Sequence, residues 1–148
     1  MNIGGEQYPV FNPYDKPTYE IHVSGCRRNC KGCHNKELQD FNYGEELNTH
    51  KIINKLKKRK KFFDTISIVG GDLLCQDFFE SWNFIISLKS SFRNKEFWLF
   101  TGDEIHNVPK YAKEIFDYIK VGRYIEESKT KGFPSSLNQK LLKKGVDY

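Results

Sequence analysis

Residues 65–72 read TISIVGGD. The β-branched, apolar run 65–69 predicts a buried strand, and Gly70-Gly71 closes it. The same grammar recurs along the chain. Residues 97–101 (FWLFT) predict a strand closed by Gly102, and residues 118–121 (YIKV) one closed by Gly122. Upstream, Tyr19, Ile21 and Val23 alternate with polar residues, as in a strand with one buried face. Helical patterns lie between these strands. One runs from Asn48 or Thr49 to about residue 60. A second runs from Gln76 to about residue 90, with Phe79, Trp82, Ile85 and Ile86 at helical spacing. A third covers 108–116, with Pro109 suited to its first turn. From Glu126 the tail is polar until Leu137, Leu141 and Leu142, where a short last strand or helix fits.

Repeated strand–helix order predicts parallel strands joined by right-handed crossovers. The 148 residues are expected to form one domain, 1–148, with a single core. A complete eightfold barrel takes roughly 200 residues or more, and this chain supplies about half the units. The expected fold class is therefore α/β: a short, incomplete, open β/α barrel with a mainly parallel sheet. The cysteine-bearing segment, Gly70-Gly71-Asp72, Thr101-Gly102-Asp103 and Gly122-Arg123 then all follow carboxyl ends of strands. That is the edge where parallel α/β proteins build their sites.

The segment after the first of these strands is SGCRRNCKGCHN, residues 24–35, with Cys26, Cys30 and Cys33 spaced C-x3-C-x2-C. The fourth cysteine, Cys75, stands far off and reads as a small buried hydrophobe. The N-terminus has neither a basic region nor an apolar one of signal-peptide type. The pattern thus reads as metal or cluster ligation in a reducing cytoplasm rather than as disulfides. Three thiolates from one short loop suit a four-iron four-sulfur cube, with one iron left open. A zinc site would need His34 or His22 as a fourth ligand, and unligated thiols are the third reading.

Composition narrows the classes further. No apolar run approaches the roughly 20 residues that span a bilayer, so no membrane partner is expected. The net charge is +5, with 24 Lys and Arg against 19 Asp and Glu. Much of the excess lies in residues 55–61 (KLKKRKK). With Ile52, Ile53 and Leu56 as its apolar stripe, this run reads as the solvated face of a helix. It lacks the interleaved aromatics that stack bases, so no nucleic-acid partner is expected. Gly70-Gly71 lets the backbone approach a ligand closely, and free N–H and C=O groups beside Asp72 suit an amino-acid moiety. The plainer reading is a β–α turn with Asp72 capping the next helix.

Taken together, the cysteine spacing and the GGD segment resemble the radical S-adenosylmethionine enzymes. Within them the chain is most similar to the activating enzymes of anaerobic ribonucleotide reductase. The likeness runs through Tyr8-Pro9, VSGCRRNCKGCHN (23–35), Gly44, ISIVGGDLL (66–74), FWLFTG (97–102) and SSLNQ (135–139). It implies a fold of radical S-adenosylmethionine type, with Cys26, Cys30 and Cys33 as ligands of a 4Fe-4S cluster whose open iron takes S-adenosylmethionine (SAM). It further implies that Gly32 and His34 lie against the adenosyl part, Gly70, Gly71 and Asp72 hold the methionine part, and Thr101 and Gly102 line the pocket near the ribose. The implied activity is that of an oxidoreductase: reductive cleavage of SAM and formation of a glycyl radical on the reductase. No general acid or base is implied, and a low-potential donor such as flavodoxin would supply the electron. His34 replaces the aromatic usual after the third cysteine, Leu73 the proline usual after GGD, and Val121 an acidic residue. The rival functions are a radical enzyme acting on a small molecule and a non-catalytic zinc or nucleic-acid binding module.

Overall fold

In a computed structural model describing residues Met1–Tyr148, seven strands form one open sheet. The strands are β1 (Asn2–Phe11), β2 (Pro17–Val23), β3 (Glu45–Glu46), β4 (Thr65–Gly70), β5 (Glu96–Phe100), β6 (Tyr118–Val121) and β7 (Lys140–Lys143). The helices are α1 (Thr49–Arg59), α2 (Phe78–Ser91) and α3 (Lys110–Ile115). Across the sheet the order is β3-β1-β2-β4-β5-β6-β7.

The centre follows the sequence reading: β2, β4, β5 and β6 are parallel neighbours. The flanks correct it. β1 pairs antiparallel with β2 and β3, and β7 antiparallel with β6. The sheet is therefore mixed rather than mainly parallel, and β3 and β7 form its two edges. Between β1 and β2 a short connection explains this, because an antiparallel neighbour needs only a turn whereas a parallel one needs a crossover. The loop between β1 and β2 is such a turn, organised by Asn12, whose Oδ1 accepts from the backbone N–H groups of Tyr14 and Lys16.

Alternation sorts the strand residues onto two faces. Tyr19, Ile21, Val23, Ile66, Ile68, Phe97, Leu99, Ile119 and Val121 meet Ile52, Leu56, Phe84, Ile85, Leu88, Ala112 and Ile115 of the helices in one buried core. The helices begin where caps satisfy their first N–H groups. Asn48 accepts from Lys51 N at 3.0 Å, and Asp77 accepts from Glu80 N at 3.0 Å. The Asp77 cap starts α2 at Phe78, two residues later than the sequence suggested, because Leu73–Cys75 first make a separate 3-10 turn. Pro109 precedes α3 instead of entering its first turn.

The opposite face has no helix on it. Its residues include Glu20, His22, Ser67, Val69, Trp98, Phe100, Tyr118 and Lys120. It is partly covered by the Tyr14 ring, 5.8 Å from Trp98, and by Phe133, 5.7 Å from Phe100. The basic run around α1 lies on the surface: Lys55 pairs with Glu6 at 2.8 Å, and Arg59 lies over the Tyr8 ring at 5.3 Å. No helix is long and apolar enough to cross a membrane.

Leu56 is fully buried between α1 and the sheet. Leu56→Ala is expected to lower the unfolding free energy by ~2–5 kcal/mol through lost transfer energy and the cavity left behind, as read by urea denaturation.

Candidate functional site

Four chain segments leave the carboxyl ends of β2, β4, β5 and β6 and meet around one cavity of 310 Å³. Cys26, Cys30 and Cys33 all line it, as do His34, Gly70, Gly71, Asp72, Thr101 and Gly102. Gly32 is outside the lining but adjoins it through Cys33. The structure thus brings together the residues that the sequence reading chose.

Asp72 ties these segments to one another. It is 1% exposed, and its carboxylate accepts four donors from three places. Arg28 Nη1 donates to Oδ2 at 2.5 Å, and Gly102 N at 2.8 Å. Thr101 Oγ1 donates to the same oxygen at 2.8 Å, while Leu74 N donates to Oδ1 at 2.9 Å. Burial pushes the Asp72 carboxyl up, and Arg28 and the N–H donors oppose that push. The carboxylate anticipated as a ligand contact is therefore committed to the protein's own donors. Its cap is to Leu74 in the short 3-10 turn, not to α2.

Arg28 lies between Asp72 and Asp103, donating to the latter at 2.8 Å through Nη2. Its Nη1 is also 3.3 Å from Cys75 Sγ and 4.0 Å from Cys26 Sγ. Cys75 is buried, as a small hydrophobe would be, and the Cys26 thiol near it pulls the Cys75 thiol down while Cys26 is pushed up. A Cβ on Gly102 would fall 2.4 Å from Arg28 Cδ, so the guanidinium's path requires glycine there. Gly71 is needed for a similar reason: a Cβ would sit 2.6 Å from the carbonyl oxygens of Gly25 and Leu38. The GGD backbone is stitched to the cysteine segment by Gly71 N to Val23 O at 2.7 Å and Asp72 N to Gly25 O at 3.0 Å.

The cysteine segment itself is a series of tight turns. Cys33 N donates to Cys30 O at 3.2 Å. Asn29 (φ 47°) and Gly32 (φ 73°) take left-handed conformations. Cys26, Cys30 and Cys33 are free and partly exposed. No three His, Cys, Asp or Glu side chains converge as a single-ion site would require. The His34 ring lies tilted at 49° to that of Tyr124, with centroids 4.9 Å apart, and His22 pairs with Glu20 at 3.3 Å. Both histidines line the same cavity as the cysteines. Three thiols spread around one cavity suit a multi-iron cluster, whose metal atoms lie apart.

Residues 123–139 close one side. Arg123 Nη2 donates to Arg28 O at 2.9 Å, and Glu127 pairs with Lys31 at 3.4 Å. The SSLNQ segment holds the end of β6: Asn138 Nδ2 donates to Arg123 O and Gln139 Nε2 to Gly122 O, each at 2.9 Å. Sequence reasoning gave no role to Arg28 or Lys120 and placed Asp103 and Arg123 only on the rim. Lys120 lines the cavity near Phe100, and burial lowers its ammonium to about 8. The alternation in YIKV was the signal for it, since Ile119 and Val121 face the core and Lys120 must face the other way.

Comparison with known proteins adds a family. The sequence model described as "4Fe-4S single cluster domain" matches residues 18–142. A Haemophilus influenzae protein named anaerobic ribonucleoside-triphosphate reductase-activating protein is 30% identical over 114 residues, covering 72% of this chain and 74% of that protein. A protein of the same name from Enterobacteria phage T4 is 29% identical over 128 residues, covering 82% and 80%. Another from Escherichia coli is 27% identical over 116 residues, covering 74% and 75%.

Arg28→Ala is expected to destabilise the fold by ~3–5 kcal/mol, because it strands a buried carboxylate without its cation. Denaturant unfolding checks this, and Arg28→Lys should recover part of the loss.

Proposed function

Because this chain belongs to the family of anaerobic ribonucleoside-triphosphate reductase-activating proteins and carries a 4Fe-4S single cluster domain, we propose that it activates an anaerobic ribonucleotide reductase by radical SAM chemistry. The observation that carries the reading is the set of three free thiols, Cys26, Cys30 and Cys33, lining one cavity. In this reading they hold a 4Fe-4S cluster with an open iron, and the sheet belongs to the incomplete-barrel type of those enzymes.

When bound, the reduced cluster would supply one electron to the sulfonium of SAM, releasing methionine and a 5′-deoxyadenosyl radical that takes a hydrogen atom from a glycine Cα of the reductase. The chain's own residues bind, orient and exclude water. Gly70 and Gly71 offer a backbone surface without side chains to the amino-acid half of SAM. Asp72 serves that half indirectly, by fixing the cysteine segment against the ends of β4 and β5. Gly32 and His34 flank the adenosyl half, with His34 steadied by the Tyr124 ring. Thr101 and Gly102 border the ribose. A low-potential protein such as flavodoxin would deliver the electron, and the reading implies a cytoplasmic protein.

Mixing the anaerobically loaded, reduced protein with SAM and an anaerobic ribonucleotide reductase is expected to produce a glycyl electron-spin signal and one methionine per cleavage. Cys30→Ala is expected to abolish formation of 5′-deoxyadenosine while keeping the helical circular-dichroism signal. Cleavage surviving in that variant would sink the ligand assignment.

A further inference from the structure

The end of the sheet away from the cysteines is strongly basic, and the function proposed above uses none of it. A second cavity, of 580 Å³, lies there at the amino ends of β5 and β6 and the close of β7. Six cations line it: Lys16, Lys89, Arg93, Lys95, Lys143 and Lys144. Only two carboxylates do, Glu96 and Asp117, and both are engaged. Glu96 holds Lys16 at 3.1 Å and accepts from Trp98 Nε1 at 2.6 Å. Asp117 accepts from Phe97 N at 2.8 Å and holds Lys89 at 3.6 Å. Lys95 Nζ donates to the carbonyl oxygens of Lys60 and Phe63, and Lys144 Nζ to that of Glu114. Arg93 and Lys143 are exposed. Lys143 has its ammonium 6.0 Å from the Tyr118 ring centroid.

A carbonyl positions an ammonium without neutralising its charge. Arg93, Lys95, Lys143 and Lys144 therefore stay uncompensated, while Lys16 and Lys89 are offset by their carboxylates. Just outside, Asp147 is committed to Lys143 N at 2.8 Å. The basic run of α1 borders the cavity through the Lys95–Lys60 contact, and its residues 57–61 outnumber Asp64. A concave surface of one sign concentrates anions. A single carboxylate would answer one of these four cations. A chain of phosphates, with three or four negative charges spaced along it, answers them together. The side-chain types agree: a guanidinium takes phosphate oxygens in pairs, and lysines act as point charges along the chain. The volume is that of a small-molecule site, and a lining with one aromatic ring, Tyr118, offers little to an apolar ligand.

We propose that this cavity binds an oligophosphate chain, inorganic or carried by a nucleotide, with Arg93 and Lys143 as its free cations and Lys95 and Lys144 as fixed ones. The site lies at the opposite end of the strands from the cysteines and does not depend on the SAM reading.

The test titrates anaerobically cluster-loaded protein by calorimetry with inorganic triphosphate, ATP and adenosine at about 0.1 M salt. S-adenosylhomocysteine is kept in excess, so that the cavity at the cysteine edge is not what the phosphates report. Triphosphate and ATP are expected to bind and adenosine is not. Arg93→Ala and Lys143→Ala should each weaken triphosphate about fivefold, the worth of an exposed charge pair. The double reversal Arg93→Glu with Lys143→Glu should abolish binding. Lys110→Ala removes an exposed lysine at the start of α3, at the other end of the strands, and should leave the affinity unchanged. Both Arg93 and Lys143 are surface residues, so the melting transition is expected to persist in every variant. Equal affinities for triphosphate and ATP would assign the site to the phosphate chain alone, and a tighter ATP would assign it to a nucleotide. Absence of triphosphate binding at millimolar concentration would overturn the proposal, as would a loss in Lys110→Ala equal to that in Arg93→Ala. So would a single-stranded oligonucleotide that binds more tightly than triphosphate and gains affinity with length, the behaviour of a nucleic-acid surface.

Discussion

One buried carboxylate organises this molecule's working edge. Asp72 accepts from the cysteine segment through Arg28, from the end of β5 through Thr101 and Gly102, and from its own turn through Leu74. Burying a carboxylate and a guanidinium is costly, and the pair is tolerable only when the remaining lone pairs are also satisfied. Here they are. Arg28 then extends the knot to Asp103 and leans on Cys26 and Cys75. Three otherwise independent loops thus share one set of constraints, and the thiols of the cysteine segment inherit their positions from it.

The mixed sheet gives this edge its setting. Helices cover only one face, so the other is free to form the floor of a cavity. β1 and β7 extend the sheet on either side of its parallel centre with antiparallel pairing. The tail spends its residues on closing the site instead of on further strand–helix units, with Asn138 and Gln139 gripping the end of β6. A chain of 148 residues can in this way carry a rim of four converging strand ends.

Much of this was legible in the residues, and the limits have physical causes. The parallel strands announce themselves because their core faces are β-branched or aromatic and glycines stop them. β1 does not. Its NIGGEQYPVF carries Gly4, Gly5 and Pro9, and its pairing with β2 shifts register between Ile3 and Gly5 and again between Gln7 and Val10. Such irregularity destroys the period-two signal. The cysteine spacing and the GGD turn pointed to the right rim because their chemistry is local. Arg28 could not be read the same way. In the sequence it is one of two adjacent arginines in a polar loop, and only the fold decides that Arg28 turns inward to two aspartates while Arg27 lies over Phe41. For Asp72 the sequence left two readings open, a cap and a ligand contact, because nothing in it reveals how many donors the protein itself supplies.

The central claim is that three thiolates hold a cluster with one iron open to SAM. Mössbauer spectroscopy of protein loaded anaerobically with iron-57, recorded with and without SAM, tests it most directly. The account predicts that one of the four iron sites changes its isomer shift when SAM is added while the other three do not. Four irons that stay alike, or a protein that takes up zinc in place of iron, would contradict it.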